Sequence, residues 1–176
     1  AASLESAHEL GTLQDAIARA EQLPGLDEEL AVARQRLIEM KRKRAKTSLE
    51  ADPDEISALE SVIQVARDLG GLDAEVAIAD KKLQRKKTTK RTLESAVGIS
   101  AIQSALESAD GITGVSAEIS AAEQRLSKLK NVAASLESAQ EVGTLQDAIA
   151  RAEQLPGLEQ ELAVARQRLI EMKRNA

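Results

Sequence analysis

Few residues of this chain have side chains that could perform acid–base, nucleophilic or metal chemistry together. The sequence has one histidine, His8, and no cysteine, and a near-copy of the same segment has Gln140 in the place of His8. A Ser-His-Asp triad needs a histidine, and structural zinc needs several Cys or His ligands. We therefore expect His8 to be a solvated surface residue, and we expect no catalytic, metal or cofactor site.

Two short segments have the spacing of known sites without their remaining residues. Asp52-Pro53-Asp54 opens like a calcium loop, but Ser57 stands where that loop requires Gly and Ile63 where it requires Glu. Asp followed by Pro is instead typical of the start of a helix. Ser127 and Lys130 have the Ser-x-x-Lys spacing of some acyl-enzymes, but the companion motifs are missing. These segments do not indicate an enzyme.

Basic side chains are the one chemical feature that clusters. Of the 24 Lys and Arg residues, 14 fall within 34–46 and 81–91. The basic band comprises Lys41, Arg42, Lys43, Arg44, Lys46, Lys81, Lys82, Arg85, Lys86 and Lys87. It could bind an acidic protein, a nucleic-acid backbone or anionic lipid, or it could be a solvated helix face balanced by acidic neighbours. We do not expect a nucleic-acid partner, because the net charge is −5 and no aromatic residue is present to stack on bases.

The composition favours thin layers of packed helices. The 176 residues include no Phe, Trp or Tyr, so a core must be built from Leu, Ile, Val and Ala. A compact globular core of this size normally uses several aromatic residues, each of which buries a large area. No apolar run approaches the length that a membrane span needs. The sequence does not predict a cellular compartment.

The chain is internally repetitive. Residues 1–42 recur at 133–174 with four differences, at positions 8, 10, 27 and 28 of the first copy. Two weaker copies lie between them, and shifts of 46, 89 and 132 residues keep eight positions apolar in every copy: Leu13, Ile17, Ala20, Leu23, Leu26, Leu30, Ala33 and Leu37. The shifts also align four glycines, Gly25, Gly71, Gly114 and Gly157. We therefore predict one array of four repeats, at about 1–45, 46–90, 91–132 and 133–176.

Each repeat is predicted to form a helical hairpin, with a short A helix, a glycine turn and a long B helix. The apolar positions are three or four residues apart on either side of the glycine, which is the spacing of helix faces. We place the A helices near 12–23, 53–69, 100–111 and 144–155, and we start the B helices at about 27, 73, 116 and 159. Residues 1–10 match the second half of a B helix. The first two B helices are either continuous or broken near 43–47 and 86–90, because Arg44 and Lys86 occupy sites expected to be apolar.

Hairpins of this length cannot bury their apolar faces alone, so the predicted fold is an all-α solenoid of four stacked hairpins. The repeat resembles αα-hairpin arrays such as tetratricopeptide, HEAT and armadillo proteins. With its Gly-x-Leu start and Gly-Leu-Asp turn, it is more similar to the Ala/Leu-rich hairpin arrays of algal and protist proteins. It is a poor match to tetratricopeptide repeats, because the period is too long and the Trp and Tyr positions are empty.

The main functional hypothesis is a non-enzymatic structural or scaffolding segment that contacts other proteins. One alternative is an anion-binding module that uses the basic band. Another is an engineered repeat protein without a natural partner, because the first and last copies are nearly identical. Both end copies keep the full apolar pattern, and neither has the polar outer face of a capping repeat. We therefore also predict weak end-to-end self-association.

Overall fold

The computed structural model describes the backbone of residues 2–174 and the side chains of residues 9–174, so His8 lies outside the described side chains. Over this range the protein is all-α, as predicted, with eight helices and no strand. The helices are α1 (Ala2–Ala20), α2 (Asp27–Glu50), α3 (Ile56–Leu69), α4 (Asp73–Ser95), α5 (Ile99–Ser108), α6 (Ser116–Ser138), α7 (Val142–Ala152) and α8 (Glu159–Arg174). Short helices alternate with long ones from α3 to α7, as the hairpin pattern predicts.

The helices belong to two compact units, Ala1–Arg85 and Lys86–Ala176. In the first unit, α2 packs against both α1 and α3. In the second unit, α6 packs against α5, α7 and α8, and α7 also packs against α8. Every unit therefore contains hairpin contacts as well as contacts between one hairpin and the next.

The repeated apolar positions form the core of each unit. Leu59, Ile102 and Leu145, which share one repeat position, are almost completely buried. Burying a leucine or isoleucine side chain in this way stabilises the fold by about 1.5–3 kcal/mol. The prediction is wrong at Leu23, whose side chain is 59% exposed. Leu23 lies in the turn after α1, and its counterpart Leu155 lies in the same turn after α7 but is half-buried against the core of the second unit.

The four predicted turn glycines all adopt left-handed backbone conformations, with φ values of +86° at Gly25, +74° at Gly71, +81° at Gly114 and +97° at Gly157. Residues with a Cβ rarely adopt this region, which explains the fixed place of glycine. In the second, third and fourth copies the residue after the glycine, Leu72, Val115 or Leu158, is buried. Val115 is fully buried, and its carbonyl accepts the first helical hydrogen bond of α6 from the amide of Ile119 at 2.9 Å.

Both B helices that contain the basic band are continuous. Helix α2 passes through Arg44 to Glu50, and α4 passes through Lys86 to Ser95. Helix α2 keeps an apolar face beyond Arg44, because Ala45 and Leu49 are buried. The polar residues in the apolar pattern therefore do not break these helices.

The same sequence folds differently at the start of the first and the fourth copies. Helix α1 runs through Gly11, whereas a new helix was predicted at residue 12. In the fourth copy α6 ends at Ser138 and α7 begins at Val142, with the amide of Glu141 donating to Thr144 Oγ1 at 3.3 Å. Before α7, Arg168 donates to the carbonyl oxygen of Ala139, whereas the equivalent Arg36 of the first copy is exposed. The predicted start of α3 at residue 53 is also wrong, since α3 begins at Ile56.

One ion pair recurs between the A and B helices of a hairpin. Glu21 binds Arg34, and the same repeat positions in the fourth copy pair Glu153 with Arg166, both at 2.6 Å. The second copy keeps the pair with the charges exchanged, because Arg67 binds Asp80 at 2.6 Å. In the third copy these positions are Asp110 and Glu123, which are both acidic.

Candidate interaction site

The structure distributes the ten residues of the basic band over very different environments. In the second half of α2, Lys43, Arg44 and Lys46 are exposed, whereas Lys41 and Arg42 are half-buried. In the middle of α4, Lys81 and Arg85 are exposed, Lys82 and Lys87 are half-buried, and Lys86 is only 3% exposed. The band is therefore not a uniform solvated surface.

Two lysines of the band form ion pairs within the first unit. Lys46 Nζ lies 2.8 Å from Glu75 Oε1, and Lys82 Nζ lies 3.5 Å from Asp52 Oδ2. The hydrogen bond and the charge of Glu75 raise the pKa of Lys46, and the hydrogen bond from Lys46 lowers the pKa of Glu75. Each pair joins helices or turns of neighbouring hairpins, so these lysines already have partners within the fold.

Arg42 and Lys86 are also used by the fold. Arg42 donates to the carbonyl oxygen of Leu69 from Nε at 3.3 Å and from Nη2 at 3.1 Å, at the end of α3. Lys86 occupies the repeat position of Leu129, and both side chains are buried. A side chain in that position is not accessible to a binding partner.

Without these four residues and the half-buried Lys87, the basic band leaves an exposed basic set of Lys43, Arg44, Lys81 and Arg85, with the half-buried Lys41 beside it, all within the first unit. Among the described side chains, none forms an ion pair with these five residues. Lys41 and Arg44 also line an open groove with an apolar floor that includes Leu10, Val62 and Val65. An anionic partner could therefore meet both charge and apolar surface at this place.

Sequence reasoning missed a set of arginine contacts between consecutive B helices. Arg125 of α6 donates to the carbonyls of Leu93, Glu94 and Ala96 at the end of α4. Arg168 of α8 makes the same contacts with Leu136, Glu137 and Ala139 at the end of α6. We call each arrangement a carbonyl clamp. The last turns of α4 and α6 contain no basic residue of their own, so the clamp supplies the positive charge that a helix C-terminus favours.

The clamp positions are periodic, which is the signal that could have identified them. Arg36, Lys82, Arg125 and Arg168 are separated by the repeat steps of 46, 43 and 43 residues. Lys82 binds the Asp52 side chain beyond the end of α2, so it serves the same helix end by a different contact. Arg36 is exposed.

A second periodic feature is a shallow pocket between the end of one B helix and the start of the next. The Ile78 pocket is lined by Leu49, Glu50, Ala74, Glu75, Ile78, Ala79 and Lys82. The Val164 pocket lies at the corresponding place in the second unit and is lined by Leu136, Glu137, Gln160, Glu161, Val164, Ala165 and Arg168. Each has a volume of about 400 Å³. Ile78 and Val164 are 58% and 69% exposed, so each pocket offers an uncovered aliphatic surface.

The described part of the chain shows no candidate metal site or membrane span, and the comparisons with known proteins found no relative. Among residues 9–174, no group of three or more His, Asp or Glu side chains could hold a metal ion. No helix in the described part of the chain is long and apolar enough to cross a membrane. No protein-family model, curated protein or solved structure was found to match the chain.

Proposed function

We propose that this protein is a non-enzymatic helical-repeat scaffold whose four hairpins stack as a solenoid and present docking surfaces for other proteins. The carbonyl clamps carry this proposal. They occur at one repeat position and join α4 to α6 and α6 to α8. A contact that repeats with the sequence period propagates one arrangement from hairpin to hairpin, as in known quasi-one-dimensional repeat folds.

The clamps also support a stiff segment, because they are geometrically specific. A guanidinium group is planar and presents five donors in fixed directions. Arg125 and Arg168 each direct these donors to three carbonyl oxygens that leave the end of a helix. The ion pair of Lys90 with Glu118 at 2.8 Å adds a second contact between α4 and α6. A stiff array would hold attached partners at fixed separations.

Small-angle X-ray scattering of the full chain tests the proposed shape. A compact domain of 176 residues has a radius of gyration of about 16 Å by the general size relation. A solenoid of four stacked hairpins should give a larger radius and an elongated pair-distance distribution. A radius near 16 Å, or one that changes with modest salt, would contradict a stiff stacked array.

A second candidate function is the binding of an acidic partner by the exposed basic set. The absence of ion pairs at Lys43, Arg44, Lys81 and Arg85 among the described side chains favours it. We expect binding of an acidic polypeptide that weakens steeply with salt. Reversing these four residues to Glu should abolish it, whereas reversing Arg19 and Arg151 should not. If no binding occurs at low salt, the exposed basic set is only a solvated surface.

A further inference from the structure

One ion pair between consecutive hairpins is complete in two places and incomplete in a third. Lys46 binds Glu75, and Lys90 binds Glu118 at the equivalent glutamate position, both at 2.8 Å. The hydrogen bonds in these pairs lower the pKa of both glutamates. A further step of 43 residues from Lys90 and Glu118 leads to Ala133 and Glu161. The fourth copy therefore keeps the carboxylate and lacks the lysine.

The unmatched carboxylate lies at the Val164 pocket. Glu161 lines this pocket together with Glu137, and among the described side chains neither glutamate has a cation within ion-pair distance. Arg168, the basic residue of the pocket, directs its donors to three backbone carbonyls. These carbonyls end α6 and add partial negative charge at the same place. The pocket thus combines an exposed aliphatic side chain with an excess of negative charge.

We propose that the Val164 pocket binds a segment of a partner protein in which an aliphatic side chain is followed or preceded by Lys or Arg. The aliphatic group packs beside Val164, and the cation binds Glu161 in the place that Lys46 and Lys90 occupy in earlier copies. The chain itself supplies the reason for this choice of ligand, because it satisfies the same carboxylate position with a lysine ammonium group twice. The inference rests on the proposed scaffold function and names its partner chemistry.

The Ile78 pocket should not bind the same segment. It has the same aliphatic position, but Glu75 is already bound by Lys46 at 2.8 Å. A partner cation would have to displace Lys46, which is tethered to the chain. We therefore expect the Val164 pocket to bind the segment and the Ile78 pocket to be closed to it.

Two fluorescent peptides of equal length and equal leucine content test the proposal on the full chain. One has Lys and the other Glu at its polar positions, and binding is followed by fluorescence anisotropy at low salt. We expect the Leu/Lys peptide to bind, and the Leu/Glu peptide not to bind. Val164→Ser should weaken binding about fivefold or more, since about 1 kcal/mol corresponds to that factor. The matched variant Ile78→Ser should leave the affinity unchanged.

Two reciprocal substitutions separate this site from general attraction to an acidic protein. Ala133→Lys restores the missing lysine, and we expect it to weaken peptide binding by about fivefold, as for an exposed ion pair. Lys46→Ala removes the lysine from Glu75, and we expect it to add one binding site for each chain. Glu107→Lys on the exposed surface of α5 makes a change of the same sign and should have little effect.

The proposal is overturned if the two peptides bind equally well, or if Ala133→Lys and Glu107→Lys weaken binding to the same extent. Circular dichroism of each variant establishes that it is folded, and a loss of binding without a loss of helicity is then a loss of the site. An elongated scattering profile together with no peptide binding would remove this inference and leave the scaffold proposal standing. A compact scattering profile together with specific peptide binding would remove the scaffold proposal and leave the binding site standing.

Discussion

The turn between α7 and α8 gives a sharp test of the fold, because the chain contains the same turn twice. Gly157 and Gly25 occupy the same place in identical Leu-Pro-Gly-Leu segments, with φ values of +97° and +86°. Their surroundings differ. A Cβ at position 157 would lie 2.4 Å from the backbone N of Gly98 and 2.6 Å from its Cα, whereas a Cβ at position 25 would meet nothing within 4 Å.

The expected magnitudes follow from these two geometries. A left-handed conformation costs a non-glycine residue about 1–2 kcal/mol, and both alanine variants incur that cost. Only Gly157→Ala must also displace the backbone of Gly98, and overpacking of this kind costs a further ~1–3 kcal/mol. We therefore expect Gly25→Ala to lower the free energy of unfolding by about 1–2 kcal/mol, and Gly157→Ala by about 2–5 kcal/mol.

Urea unfolding followed by circular dichroism measures both values, and amide hydrogen exchange locates the damage. In Gly157→Ala, protection should fall in α7 and α8 and at the start of α5, which follows Gly98. In Gly25→Ala, any loss should be confined to α1 and α2. Equal destabilisation by the two variants would refute the close approach of Gly98 and Gly157. No destabilisation by either would refute the left-handed turn itself.

Three further predictions concern the polar contacts. Arg168→Gln should lower the free energy of unfolding by about 1.5–3 kcal/mol, because charged hydrogen bonds to the end of α6 are lost; the equivalent Arg36→Gln should change urea stability by less than about 0.5 kcal/mol. Lys46→Ala should raise the pKa of Glu75, which NMR titration of the carboxyl carbon can follow. Since Lys46 lowers that pKa, the stability that the ion pair provides is present at neutral pH. It is lost as the pH falls through the folded-state pKa of Glu75. Glu123→Arg should restore the hairpin ion pair to Asp110 and raise the free energy of unfolding by at most about 1 kcal/mol, which a slightly higher thermal midpoint would report. An unchanged or lower midpoint would contradict the pairing.

The helices and their turns were predictable because the signals for them are local. The glycine positions and the three- and four-residue apolar spacing are visible in a single copy, and the long helices start where the pattern places them. Gly11 shows the limit of such signals. It stands in the same local sequence as Gly143, yet α1 continues through it, whereas α7 begins beside Gly143. The outcome at that point depends on contacts with another part of the chain.

The interaction site was less predictable for the same reason. Positive charge is readable in sequence, but the partner of each charge is not. Lys46, Lys82 and Arg42 are bound by groups about 30 residues away, and Lys86 is buried on a helix that is otherwise rich in exposed basic residues. The unmatched charge of Glu161 at the Val164 pocket had no compositional signal, because it depends on Ala133 occupying the position where another copy has lysine. Only the combination of the repeat register with the observed pairs reveals that difference.

The exchanged charges of the hairpin ion pair have a consequence for folding fidelity. Similar neighbouring repeats can misfold by exchanging equivalent helices. If α1 took the place of α3 in the second hairpin, Glu21 would meet Asp80, and if α3 took the place of α1 in the first hairpin, Arg67 would meet Arg34. Both exchanges replace an attraction with a repulsion. The ion pairs of the first and second hairpins therefore have opposite orientations, and this opposes an exchange of their helices. The ion pairs of the first and fourth hairpins have the same orientation, so they do not oppose such an exchange.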